Sequence, residues 1–462
     1  MALDRSLALI RGLPGVTPER LVRQVAHGLA GLSVAPPTPG HRPGVLLPKI
    51  RSRHETNLRL YVPGLPAASL RAAVEELRAG RRNPYEILGD RGILVINSIQ
   101  ERKDGVILAG GSCSDVVLSI QGDHAVVVKS VAGCGGVGNA DGLRRHRNEA
   151  EWLASVHDPS GLFLQTRQAV DRSDLCTFET DFFPAYSLAE LVFQLRMTGH
   201  PLAEVLISIY EQLRSAFYSR DPIRTSWIDP DQNYVQKIRR RSRLLLDATH
   251  GVPDSITALI RAPKVRVNGR PCTPLAELLH TVDSHPIWRP IAWPTGKHAC
   301  HGDLILEDIL VKPHPAPDVR LVDPNPYNQH GLIDVAKTML SLWIGYEFIY
   351  FDFFRVELEE VGQQGQVAVE VSLDLNGRGE QYTAAASQFI EYARTEIADV
   401  LGLPRHSFQR LIRMASALTA LAIPSFHAIR HGRPDRALAF LALGMLHASY
   451  ALADETPPPF CM

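Results

Sequence analysis

Three aspartates lie close enough together in the chain to do chemistry as a group. Asp303 follows His301-Gly302, Asp308 stands just before the apolar run Ile309-Leu310-Val311, and Asp323 ends the run Val319-Arg320-Leu321-Val322. All three fall within 21 positions of one segment, CHGDLILEDILVKPHPAPDVRLVDPNPYNQHGLIDVAKTM, Cys300 to Met339. Phosphoryl transfer asks little covalent work of a protein. It needs a carboxylate to orient the attacking hydroxyl and oxygen ligands to hold Mg²⁺ against nucleotide phosphates. Mg²⁺ takes one or two carboxylates and keeps several waters, and a loop acid followed by a hairpin with an acid at each end supplies that arrangement. The alternative is a set of solvated loop charges. The largely apolar runs between the acids, which should be buried, argue against it.

Two upstream features suit the same chemistry. Ala109-Gly110-Gly111-Ser112-Cys113-Ser114-Asp115 sits between two strand patterns, and its small residues would let backbone N–H groups approach phosphate oxygens; a plain hairpin turn explains it equally well. Further on, Val126-Val127-Val128-Lys129 puts a lysine at the end of an apolar strand, and burying an ammonium requires a partner. The helix that follows offers Glu149 and Glu151. Glu149 shares the core-facing side with Leu153 and Val156, whereas Glu151 reads as a solvated surface charge.

HGDLILEDILV with the downstream LVDPNPY and IDVAK resembles the catalytic segment of the aminoglycoside phosphotransferase and choline-kinase-like families. Their pattern reads HGD-L-x-x-x-N-I-L followed by a hydrophobic-Asp-Pro strand end. The resemblance implies an α+β, protein-kinase-like two-lobe fold, with a β-rich N-lobe, a mainly helical C-lobe and here an N-terminal extension. It implies an enzyme that uses ATP and Mg²⁺ to move the γ-phosphate to a hydroxyl of a small molecule such as a sugar, an aminoglycoside or a related metabolite. By the same resemblance Asp303 orients the acceptor hydroxyl, and Asp323 is the main Mg²⁺ ligand with Asp308 beside it. Gly110, Gly111 and Ser112 cover the phosphates, and Lys129, paired with Glu149, bonds them. Asp334 braces the catalytic loop through its backbone, and His301 packs under that loop as a core histidine. FETDFFPAYSLAELV resembles the hinge that receives the adenine.

One departure matters. The position five residues after the base is usually Asn in the family and is Asp308 here. A like charge at 4 Å costs about 4 kcal/mol at an effective dielectric of 20 unless the metal offsets it. A pseudokinase-like module that binds nucleotide or a partner is therefore a standing alternative. A kinase acting on a peptide or protein hydroxyl is another, although the short gap from Asp323 to Asp334 leaves no recognisable peptide-docking loop.

Gly133-Cys134-Gly135-Gly136-Val137-Gly138 matches G-x-G-x-x-G after a strand and before a helix, the context of a dinucleotide site. The next plausible strand-end acid, Asp171, comes 33 residues past Gly138, where about 20 is expected. In the kinase reading these glycines join the lysine strand to the glutamate helix. No Walker A lysine, HExxH, paired-Cys spacing or GxSxG occurs.

The elements that must position these residues fall into four regions. Residues 1–92 are an extension with a Pro36–Gly44 linker, a strand-like piece GVLLPKI and a helix near Pro66–Gly80, and no chemistry is visible there. From residue 93 to 183, short β-branched runs separated by Gly, Asp and Ser turns read as an antiparallel meander with one helix, about Ala140 to His157. Residues 184–455 read as mainly helical, apart from a loop-rich stretch around Lys264–Pro294 and the catalytic segment 300–337. Residues 456–462 (TPPPFCM from Thr456) form a fraying tail. Residues of about 195 to 295 look inserted between hinge and catalytic segment. They contain QNYVQKIRRRSRLLL, a basic amphipathic helix with Lys237, Arg239, Arg240, Arg241 and Arg243, which reads as a solvated face or as the contact for an anionic substrate or partner. They also contain VRVNGRPCTPLAELLH with an Asn268-Gly269 turn, similar to sugar-kinase-like phosphotransferases.

The 462 residues suffice for one large catalytic unit with an appended segment. Lys plus Arg and Asp plus Glu balance at 49 each, against a dedicated nucleic-acid binder. No run of eighteen apolar residues and no convincing secretory signal is present, so no membrane span is expected. The six scattered cysteines fit reduced thiols in a cytoplasmic protein. The acceptor and the oligomeric state lie beyond the sequence.

Overall fold

The computed structural model of the protein describes residues 48–52, 55–60, 94–96, 98–102, 105–108, 115–121, 124–132 and 137–456, the last with breaks at 173–174, 184, 195–196, 198, 220–222, 225–233, 249–251, 293–295, 298–299, 313–317, 326–329, 362–364 and 376–378. The glycine loop Gly110-Gly111-Ser112, the glycines 133–136, the expected helix at Pro66–Gly80 and the tail from residue 457 lie outside the described residues. The class is mixed α+β, and the chain divides into two compact units. One comprises residues 1–197 with 307–322, the other 198–306 with 323–462.

The first unit is strand-rich. β1 (Pro48–Ser52), β2 (Glu55–Leu60) and β3 (Leu94–Ile96) pair as an antiparallel sheet. A six-stranded sheet follows, built from β4 (Ser98–Arg102), β5 (Gly105–Leu108), β6 (Asp115–Gln121), β7 (His124–Ala132), β8 (Thr166–Arg172) and β9 (Leu175–Asp181), in the order β4-β5-β6-β7-β9-β8. Every pairing is antiparallel. Along β9 the side chains alternate as a half-buried strand requires, with Cys176, Phe178 and Thr180 inside. Between β7 and β8 the chain forms α1 (Val137–Ser155), starting three residues before the expected Ala140. Its Leu143, His146, Ala150 and Leu153 are buried, the one-face spacing of a packed helix. β10 (Tyr186–Ser187) leads into α2 (Leu188–Gln194) and pairs with the first strand of a later hairpin, β11 (Ile309–Lys312) and β12 (Asp318–Leu321).

The second unit is mainly helical. Its core is made of α3 (His200–Leu213), α4 (Tyr234–Asp247), α5 (Gly331–Met339), α6 (Arg405–Leu421) and α7 (Pro434–Ala453), with shorter helices between. It also holds a four-stranded sheet the sequence reading did not anticipate. Lys264–Val267 pairs antiparallel with Arg270–Cys272 and parallel with Gln366–Leu373, which forms a hairpin with Phe354–Val361. The stretch from residue 354, read as helical, has period-two alternation: Val367, Val369 and Val371 are buried and Glu370 is exposed. The Asn268-Gly269 turn adopts positive φ at both residues, 49° and 72°, as a two-residue hairpin turn demands.

Among the described residues, Arg405–Ile429 and Pro434–Ala453 are long and apolar enough to cross a membrane by length and composition alone, although no uninterrupted apolar run marks them. In each, 83% of that apolar window is buried inside the protein. A helix apolar all round is what the centre of a helical core requires.

Candidate active site

In the strand-rich unit, Lys129 stands on β7 and is 8% exposed. Its Nζ lies 2.6 Å from Glu149 Oε1 on α1. The lysine is held from below by the Phe178 ring, 5.7 Å from Nζ to the centroid, in the β9 position directly opposite it. His146 closes the arrangement, with Nε2 3.3 Å from the Lys129 carbonyl oxygen and Nδ1 3.7 Å from Glu149 Oε2. Burial pushes the Glu149 carboxyl up, but the Lys129 charge and the hydrogen bonds from His146 and Lys129 outweigh it, so its pKa is lowered. The strand supplies a lysine that cannot be buried unpaired, and the helix face supplies the acid. Glu151, by contrast, is exposed.

In the helical unit, the HGD loop is gripped by one face of α5. Asp334, fully buried, accepts from the His301 N–H at 3.0 Å and the Gly302 N–H at 2.5 Å. One turn on, Lys337 Nζ lies 2.6 Å from Asp303 Oδ1, and Thr338 Oγ1 donates to the Leu304 carbonyl at 3.0 Å. Residues 334, 337 and 338 share a face because they are three and four apart. Gly302 has φ 78°, a left-handed conformation open to glycine at no steric cost, which accounts for the glycine of HGD. His301 is fully buried and its Nδ1 accepts from the Asp303 N–H at 3.2 Å, the place of a core histidine beneath the loop. Tyr218 Oη donates to Asp334 at 2.7 Å, and burial dominates the carboxyl, pushing it up to about 7. Gly331, at the start of α5, leaves room for that tyrosine: a Cβ there would come within 3.1 Å of the Tyr218 ring and 2.8 Å of Leu401.

Asp308 and Asp323 belong to the hairpin end. The chain enters β11 from a 3₁₀ turn, Leu306–Asp308, and the Val322 N–H donates to the Asp308 carbonyl at 3.0 Å. Both acids are half-buried. Asp323 follows with φ 61°, a conformation that non-glycine residues adopt at some cost and that clusters at functional sites. Among the described residues no group of three or more His, Cys, Asp or Glu side chains forms a metal cage. Asp308 and Asp323 are each a hard carboxylate donor of the type Mg²⁺ accepts, one or two at a time, beside waters and phosphate oxygens.

Two residues that hold the HGD loop lie outside the motif segment, Tyr218 and Glu347. Glu347 is 1% exposed and accepts from the Leu306 N–H at 3.1 Å and from Ser341 Oγ at 2.7 Å, anchoring the far end of the loop. Lys337 could have been found from its spacing to Asp334. Tyr218 and Glu347 lie far from the motif in sequence and give no local signal.

No protein-family description and no curated protein matches the chain. Among solved structures, an aminoglycoside-3'-phosphotransferase of type VIII is similar over 68% of this chain and 91% of its own, at 14% identity and a TM-score of 0.34. Rad53 residues 1–466, in complex with AMP-PNP, is similar over 75% of this chain and 64% of its own, at 10% identity and a TM-score of 0.26. Likenesses of this strength carry no argument about activity.

Proposed function

We propose that the protein is a phosphotransferase of the protein-kinase-like type that moves the γ-phosphoryl group of ATP to a hydroxyl of a small molecule. The observation that carries this reading is the Lys129–Glu149 pair at 2.6 Å, a buried lysine aligned by an acid on the next helix. That is the pairing a kinase uses to hold nucleotide phosphates. The braced loop in the other unit supports it. Asp334 and Thr338 fix the backbone on either side of Asp303, so the carboxylate is offered in one orientation. Asp303 takes the acceptor hydroxyl as a hydrogen-bond donor and aims its oxygen. Because the transition state of phosphoryl transfer is loose, positioning contributes more than proton removal. Lys129 holds phosphate oxygens through its ammonium, and the motif resemblance gives Gly110, Gly111 and Ser112 the role of covering the phosphates. Asp323 and Asp308 would hold Mg²⁺, which supplies charge neutralisation on the phosphates when bound.

The test is nucleotide turnover by the purified chain with Mg²⁺ and with excess chelator, beside Asp323→Ala. Turnover that needs Mg²⁺ and is lost in the variant supports the reading. Turnover that survives both sinks the metal assignment. Nucleotide binding without any turnover favours the pseudokinase alternative that Asp308 motivates.

A further inference from the structure

The four-stranded sheet of the helical unit ends in an open edge. Its order places Phe354–Val361 outermost, paired on one side only, with Gln366–Leu373. Two observations fix which way the backbone of that strand faces. The Asp374 N–H donates to the Phe353 carbonyl at 2.8 Å. Val371, directly opposite Val356, gives its N–H to Asn268 Oδ1 at 2.7 Å, and its carbonyl accepts from Asn268 Nδ2 at 2.9 Å. Opposed residues of an antiparallel pair alternate between bonding each other and facing apart. Arg355, Glu357 and Glu359 therefore bond inward to the sheet, and Val356 and Leu358 turn their N–H and C=O groups outward. Among the described residues those outward groups have no hydrogen-bond partner. The side chains are also incompletely covered: Val356 and Leu358 are half-buried, whereas Val367, Val369 and Val371 beside them are buried.

Charges on an edge strand commonly guard it against pairing. This strand carries Arg355, Glu357 and Glu359, all exposed and, among the described residues, without an ion pair. Glu357 stands directly opposite Glu370, also exposed, a like-charge pair that destabilises a sheet. The signs are nevertheless self-complementary in one register. A second copy of the strand, laid antiparallel along the outer edge, must oppose outward-bonding residues to outward-bonding ones. Centred on Val356, it sets Arg355 against Glu357 twice, Phe354 against Leu358, and Val356 against itself. Centred on Glu357 it opposes that glutamate to itself, and centred on Leu358 it opposes Glu357 to Glu359. The edge strand β8 of the other unit differs, because its Arg167 and Asp171 are already paired within the chain, to Asp181 at 2.5 Å and to Arg147 at 2.6 Å. We infer that the outer edge of Phe354–Val361 pairs antiparallel with the same strand of a second copy of this chain, centred on Val356, with Arg355 of each copy opposite Glu357 of the other. A seam over residues 354–358 is smaller than a standard interface of about 1,600 Å², so the association is weak and concentration-dependent.

The experiment follows the full chain by sedimentation velocity from about 1 μM to about 300 μM. The expected result is a monomer at the low end that passes to a dimer, with a dissociation constant of about 10–100 μM. Val356→Pro removes an outward N–H and no ladder bond, a placement that proline tolerates on an edge strand. It should leave a monomer at every concentration, with circular dichroism like that of the parent. Arg355→Glu and Glu357→Arg each turn two opposite-charge pairs into two like-charge ones and should raise the dissociation constant at least about tenfold. Mixing those two variants sets two glutamates against two arginines and should recover the parent constant to within about threefold, a recovery that damaged folding in either variant could not produce. A chain that stays monomeric throughout overturns the inference, whether the edge is then left to water or taken by a strand of another protein. A dimer that survives Val356→Pro or both charge reversals overturns it as well, since the contact then lies elsewhere, and so does a mixture that stays apart.

Discussion

Lys337 Nζ lies 2.6 Å from Asp303 Oδ1, with the two side chains 13% and 27% exposed. The loop that carries Asp303 does not depend on this contact, because Asp334 and Thr338 hold its backbone at His301, Gly302 and Leu304. Lys337 therefore acts on the carboxylate itself, fixing its rotamer and offsetting its charge.

Replacing Lys337 by Met should lower kcat by about 10- to 100-fold, the scale of a misplaced reacting group, with the thermal midpoint close to that of the parent. Lys337→Arg should recover part of the loss. A collapse of the fold in Lys337→Met, seen by circular dichroism, would show that the contact is structural instead.

Asp334 predicts a pH dependence of stability. Its carboxyl is pushed up to about 7 from an ordinary 3.8, burial outweighing the donors Tyr218, Gly302 and His301. Between those values the folded chain keeps a proton that the unfolded chain has lost. This group's contribution is therefore most favourable below pH 3.8 and declines until pH reaches about 7, with a limiting slope of about 1.4 kcal/mol per pH unit. Denaturant unfolding of Asp334→Asn across the same range should lack that slope.

The Lys129–Glu149 pair should be sensitive to loss of either member. Truncating one partner of a buried pair costs about 3–5 kcal/mol because the other charge is left unpaired. Lys129→Met should accordingly destabilise the strand-rich unit and weaken ATP binding together, measured by thermal shift with and without nucleotide. Glu149 has its pKa lowered, burial being outweighed by Lys129 and His146. Its stabilisation is present above the ordinary carboxylate range and lost on acidification through its lower folded value.

Asp308→Asn restores the amide usual at this position in the families the motif resembles. Turnover should hold or rise, since the substitution removes a negative charge near the phosphates while keeping an oxygen ligand. Complete loss of activity would show that the carboxylate charge is required.

The residues tied to short-range pattern were readable from the chain. Lys129 at the end of an apolar run and Glu149 on the core face of the following helix each follow from local rules about burial and periodicity. The mixed α+β class was readable for the same reason. The residues that complete the loop were not, because nothing local marks them. Tyr218 reaches Asp334 across 116 positions and Glu347 reaches Leu306 across 41. Lys337 lies within the IDVAK stretch, and its spacing of three from Asp334 marks a shared face only once that stretch is helical. The strands from 354 to 373 were lost to a surrounding helical pattern, although the alternation of Val367, Val369 and Val371 marks them plainly.

The most direct measurement is acceptor-dependent ADP release from Mg-ATP by the purified chain, beside Asp303→Ala. Release that requires an added hydroxyl acceptor and disappears in the variant is the expected result. Release of the same size in Asp303→Ala, or independent of any acceptor, would contradict the assignment of Asp303 and with it the proposed transfer.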